Sequence, residues 1–175
     1  VDVGLQAGDI ITIGKTVQLE VLDTPGHTMS HVCLLSHTDE PALFSGDTLF
    51  NAGAGNCHNG GHPEELYETF SNQLSTLPDN TRIFPGHDYI ANNLEFTLNR
   101  EPDNIKAGEF LAIVSKQDPH QAIITTLGIE KEINSFFRLE NPSIIETLRQ
   151  KFSALPDTPN PREVFLRLRE LRNKW

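Results

Sequence analysis

Seven histidines occur in the chain, at positions 27, 31, 37, 58, 62, 87 and 120, and two share one local setting. His27 closes "DTPGH" and His87 closes "FPGH", each directly after a Pro-Gly pair and an apolar run. A Pro-Gly pair stops a strand and turns the next side chain over the sheet edge, where ligands gather in layered α/β folds. Between them, "LFSGDTLF" sets Asp47 at another strand end after a glycine. Neutral imidazole nitrogen and carboxylate oxygen suit Zn²⁺, Fe²⁺ or Mn²⁺, and a carboxylate with two oxygens can bridge two ions. A strand-end histidine that only hydrogen-bonds within its own turn is the plainer reading of either site, and the residues alone leave both open.

The elements that must position these residues follow from hydrophobic patterning. "DIITIG", "VQLEVLD", "HVCLLS" and "ALFSGD" are short runs rich in Val, Ile, Leu or Phe bounded by Gly, Asp or Pro, which predicts strands. Pro63, Glu64 and Glu65 then start a helix that carries Leu66, Phe70 and Leu74 at helical spacing, and "TRIFPG" returns as one more strand. Beyond Asp88 strand signals almost vanish, and Pro with Asn or Asp punctuates a helical remainder. In the last segment Asn160, Pro161 and Glu163 predict a capped helix start. Val164, Leu168, Leu171 and Trp175 form its apolar stripe, with Arg169 and Arg172 on a different face. The expected organisation is a strand-rich domain over 1–102 and a helical one over 103–175.

Charge narrows the partners. The chain carries 14 basic and 24 acidic residues, a net −10. Residues 131–175 hold nine Lys/Arg against six Asp/Glu, so the end is locally basic on an acidic molecule. Such a balance argues against nucleic acid as partner and leaves room for a small anion at the basic end. No apolar run approaches the length of a membrane span. With only Cys33 and Cys57 present, a reducing compartment, by default the cytoplasm, is expected. The absence of a Gly-x-Ser-x-Gly elbow speaks against a serine hydrolase.

"DTPGHTMSH", "LFSGDTLFNAGAG" and "FPGHDYIANNLEF" resemble the second-half motifs of the metallo-β-lactamase superfamily, and specifically of the glyoxalase II (hydroxyacylglutathione hydrolase) family. The similarity continues through "EPDN", "TTLGIEKEINSFFR" and the terminal "LRLRELR". The resemblance implies an α/β fold: the second half of an αββα sandwich followed by a helical carboxy-terminal domain. It further implies that His27 and His87 bind one metal each and that Asp47 bridges them; His31 is read as a structural residue that supports the turn. Zinc is the implied metal, two ions in the complete enzyme, with iron or manganese as alternatives. The implied reaction is hydrolysis of a glutathione thioester by metal-activated water, with no protein nucleophile. Tyr89, Arg169 and Arg172 fall where the family holds its substrate, the arginine pair being suited to a glutathione carboxylate.

The family's substrate loop commonly has Lys and, two residues on, an aromatic residue; Asn56 and His58 stand at those positions. That substitution leaves the thiol carrier and acyl group open, and with them an iron-dependent persulfide dioxygenase of the same fold. A non-catalytic glutathione- or protein-binding remnant is the third reading. The superfamily's first ligand cluster, His-x-His-x-Asp-His, does not occur in these 175 residues. The chain is therefore expected to be the carboxy-terminal part of a larger enzyme, inactive alone, with homodimerisation as one way to cover an open sheet face.

Overall fold

A computed structural model describes residues 4–118 and 121–175, so His120 lies outside the described residues. The strands expected from the sequence all form: β1 (Ile10–Ile13), β2 (Val17–Asp23), β3 (Val32–Ser36) and β4 (Ala42–Gly46). A small hairpin follows, β5 (Leu49–Phe50) and β6 (Gly53–Ala54), and then helix α1 (Pro63–Asn72) and strand β7 (Arg82–Pro85). Neighbours from β1 to β4 pair antiparallel, whereas β7 lies parallel to β4, so α1 is the crossover between parallel strands.

The remainder comprises α2 (Ile90–Arg100), α3 (Ile105–Val114), β8 (Thr125–Thr126), α4 (Leu127–Ile133), α5 (Pro142–Lys151) and α6 (Pro161–Arg172). This part was expected to be all helical, yet β8 joins the sheet antiparallel to β7, completing the order β1-β2-β3-β4-β7-β8. Two residues are too few to leave a hydrophobic alternation, which is why patterning does not reveal them.

Side chains alternate across the sheet. Cys33, Leu35, Leu43 and Ile83 are buried on one face beneath Leu66 and Phe70 of α1. The same cluster continues into Phe136, Ile144, Leu148, Val164, Phe165 and Leu168, so packing runs across residue 102 without a break. Phe70 touches Phe136, Phe137 and Phe165 with ring centroids 5.0–6.4 Å apart. On the opposite face Phe44 stacks on Phe84, its register partner, at 5.3 Å while remaining exposed.

Helix α6 begins as the sequence indicates: Asn160 and Glu163 form a reciprocal capping box with Pro161 at the first position. Its buried face differs from the expected stripe. Val164, Phe165, Leu168 and Arg169 are buried, the helix ends at Arg172, and Trp175 lies beyond it, 46% exposed. Arg169 stands one turn after Phe165 and so shares its face. A stripe drawn through apolar residues alone misplaces an inward-facing arginine.

Candidate metal centre

Three strand ends meet at one corner. His27 follows β2, Asp47 follows β4 and His87 follows β7, and the antiparallel and parallel registers bring these ends together. His27 Nε2 lies 3.7 Å from Asp47 Oδ2, and His87 Nδ1 donates to Asp47 Oδ1 at 2.8 Å. Asp47 thus stands between the two imidazoles with one oxygen toward each. Gly86 leaves room for this carboxylate, since a Cβ at that position would meet Asp47 Oδ1 at 2.6 Å and push the side chain aside.

The tautomer of His27 is fixed. Its Nδ1 donates to the Asn56 carbonyl at 2.7 Å, which leaves the Nε2 lone pair directed at the Asp47 side of the corner. A neutral imidazole with a backbone-anchored Nδ1–H is the form that ligates metals. Two imidazoles and a carboxylate fit zinc, iron or manganese by donor type. Among the described residues no group of three His, Cys, Asp or Glu side chains is spaced to hold an ion as it stands.

His31 has a different position from its neighbour. Its Nε2 accepts from the Asp47 backbone N–H at 3.2 Å, so the proton sits on Nδ1, which faces the hydroxyls of Thr24 (3.1 Å) and Thr48 (2.9 Å). Both nitrogens are occupied, and burial, helped by His27, holds its pKa below the usual imidazole value. His31 props the Asp47 turn and has no lone pair free for a metal.

The substrate-side residues separate into two groups. Tyr89 is exposed, its ring stacked on His87 at 5.4 Å and edge-on to Phe50 at 5.2 Å. Asn56 offers its carbonyl to His27 and its side-chain oxygen to the His58 N–H at 3.1 Å, while His58 itself is exposed. Arg172 is half-buried and donates to Asn93 Oδ1 at 3.0 Å. Arg169, expected on a face apart from the apolar stripe, is buried at 4% exposed, with Nη1 donating to the Ala54 and Gly55 carbonyls at 2.8 Å each. Its Nη1 is therefore spent on backbone.

Sequence reasoning missed the groups behind the β5–β6 hairpin. Glu130 of α4, fully buried, accepts from the Ala52 N–H at 2.9 Å, from Thr125 at 2.6 Å and from Asn134 at 2.9 Å. Asn134 donates to the Gly53 carbonyl at 3.1 Å and Asn93 to the Asn51 carbonyl at 2.9 Å. Burial raises the Glu130 carboxyl to about 7 against these hydrogen bonds. In "GIEKEI" it reads as one more solvent-facing acid; only a folded neighbour reveals it.

Residues 5–87 match the model of the metallo-beta-lactamase superfamily. Among solved structures, ETHE1 from Myxococcus xanthus superposes on 90% of this chain and 55% of its own (TM-score 0.56, 24% identity). A metallo-beta-lactamase from Staphylococcus aureus covers 95% of this chain and 42% of its own (TM-score 0.54, 25% identity). The mixed sheet, its helices and the His-Asp-His corner thus define a metallo-β-lactamase fold. Residues 88–175 match the model described as hydroxyacylglutathione hydrolase C-terminus, and the chain belongs to that family. It is 63% identical over 175 residues to a hydroxyacylglutathione hydrolase of Nitrosococcus oceani and 62% to one of Polaromonas sp., covering the whole chain each time. The chain spans 66% of the length of both relatives.

Proposed function

We propose that the whole protein hydrolyses a glutathione thioester, converting an S-2-hydroxyacylglutathione to glutathione and a 2-hydroxy acid. The observation that carries this reading is the similarity, along the whole of this chain and 66% of each relative, to proteins named for that activity, through the strand-end corner and the helical segment alike. His27, Asp47 and His87 are the residues we assign to the metal, zinc first among the candidates. A divalent ion there would activate water and stabilise negative charge on the thioester oxygen. His27 contributes a lone pair held ready by its bond to Asn56, and Asp47 offers one oxygen to each side. Tyr89, stacked beside His87, supplies an exposed wall for the substrate, and Asn56 and His58 form the loop opposite. Arg172 supplies the cationic contact to a glutathione carboxylate.

Within 1–102 and 103–175 we place the catalytic and substrate-binding parts, respectively. No helix among the described residues is long and apolar enough to cross a membrane, and the two cysteines are free, in keeping with a proposed cytoplasmic site. The face carrying Phe44 is where we place a homodimer contact, which sedimentation tests. The 175-residue polypeptide is expected to bind zinc weakly and to turn over S-lactoylglutathione slowly or not at all. Two tightly held ions per chain with rapid hydrolysis overturn that expectation. For the whole protein, oxygen consumption on a glutathione persulfide in place of thioester cleavage overturns the hydrolase reading. Nothing beyond the shared fold favours that dioxygenase alternative.

A further inference from the structure

We propose that Arg169 is a positioning residue that locks the exit of the β5–β6 hairpin and thereby sets the tautomer of His27. The guanidinium is buried and, among the described residues, pairs with no carboxylate. A buried cation left so is costly unless its N–H groups find acceptors. Here Nη1 donates to the Ala54 and Gly55 carbonyls at 2.8 Å, Nε donates to Asn173 Oδ1 at 3.2 Å, and the Phe136 ring lies 5.5 Å away. The two carbonyls it holds immediately precede Asn56, whose own carbonyl accepts from His27 Nδ1 at 2.7 Å.

Other groups hold the segment as far as the Gly55 N–H, and Arg169 holds the Gly55 carbonyl that leads into Asn56. A Cβ on Gly55 would fall 1.8 Å from the Asp47 carbonyl oxygen, and the Gly55 N–H donates to the Thr48 carbonyl at 3.0 Å. From the other side Glu130 holds the Ala52 N–H and Asn134 the Gly53 carbonyl. Residues 52–55 are thus held between α4 and α6, and Arg169 holds the peptide that joins Gly55 to Asn56. Remove it and the Asn56 carbonyl loses its placement, so His27 gains access to the tautomer with the proton on Nε2. That tautomer has no lone pair to offer on the Asp47 side. The inference deepens the metal-ligand reading of His27, but the tautomer can be measured without metal or substrate.

The test is nitrogen-15 NMR of the imidazole rings in this chain, at a fixed pH above the imidazole range. In the native chain His27 shows the Nδ1–H tautomer. In Arg169→Met the minor tautomer rises by about fivefold or more, the change that loss of one ordinary hydrogen bond supports. His31, anchored by Thr24, Thr48 and the Asp47 N–H instead, keeps its native shifts. Arg169→Lys, which keeps the charge but not the paired N–H contacts, moves His27 less and in the same direction. Unchanged His27 shifts overturn the proposal, and so does joint movement of His27 and His31, which marks general loosening. Should the methionine variant fail to fold, the lysine variant decides by the same two criteria. Absence of thioester hydrolysis would count against the proposed function and leave this result intact.

Discussion

The tripeptide Pro-Gly-His occurs twice at strand ends, and the two copies are held in opposite ways. At 25–27 the Pro25 carbonyl accepts from the Thr69 hydroxyl at 2.7 Å, and the Gly26 carbonyl accepts from the His62 N–H at 3.0 Å. Gly26 has φ +140°, and a Cβ there would meet the Leu66 backbone at 2.4 Å. The His27 side chain is 12% exposed and pinned by a backbone carbonyl. At 85–87 the Gly86 N–H donates to the Gly46 carbonyl at 2.8 Å, and the His87 side chain is 54% exposed, held by Asp47 and the Tyr89 ring. A strand-ending turn decides where a ring emerges. What packs around the turn decides which nitrogen it presents and how firmly.

The contrast is most sharply tested at the glycines. Gly26→Ala is expected to cost more than about 3 kcal/mol, because both φ and the facing backbone forbid a Cβ. Gly86→Ala should cost less than about 1 kcal/mol, since the obstructing atom is the end of the Asp47 side chain. Urea unfolding of the two variants measures both, and equal losses would erase the distinction. A second comparison uses pH. Glu130 carries a pKa raised from 4.5 to about 7, so between those values the folded chain binds more protons than the unfolded one. Its contribution is fully present below about 4.5 and is lost as pH rises to about 7, a change on the order of 1–3 kcal/mol.

Glu130→Gln should remove that slope from a series of denaturant titrations. Over the same interval, amide protection factors, which remove the base-catalysed rise in intrinsic exchange, should fall at residues 52–56 in the native chain and stay constant at residues 86–89. Movement of both regions together would mean that the buried network serves the whole corner. The smallest effects are expected for the rings themselves. His27→Ala should lower stability by about 1 kcal/mol through its bond to Asn56, and His87→Ala should stay within about 0.5 kcal/mol. Thermal melts of the metal-free variants suffice to compare them.

Much of this was legible without coordinates. Strand lengths, the Pro63 helix start and the Asn160–Glu163 capping box depend on local backbone preferences, and each formed where its residues indicated. Strand-end placement of His27, Asp47 and His87 followed from the same turn chemistry. His31 was read as a support from its place in the motif, and its two occupied nitrogens agree with that reading. The face of Arg169 was misread because its partners are carbonyls more than a hundred positions away, and carbonyls leave no mark in side-chain patterning. The β5–β6 hairpin and β8 were too short to show a period.

The sequence by itself determined the strands, the turns that end them and the three side chains that those turns aim at one corner, because these rest on contacts within a few residues. Tertiary structure alone decided the rest: that Glu130 is buried and Arg169 turned inward, and that the Asn56 carbonyl lies within 2.7 Å of one histidine and not the other. Those outcomes depend on which distant backbone groups need a partner once water is excluded, and only the assembled chain defines that need.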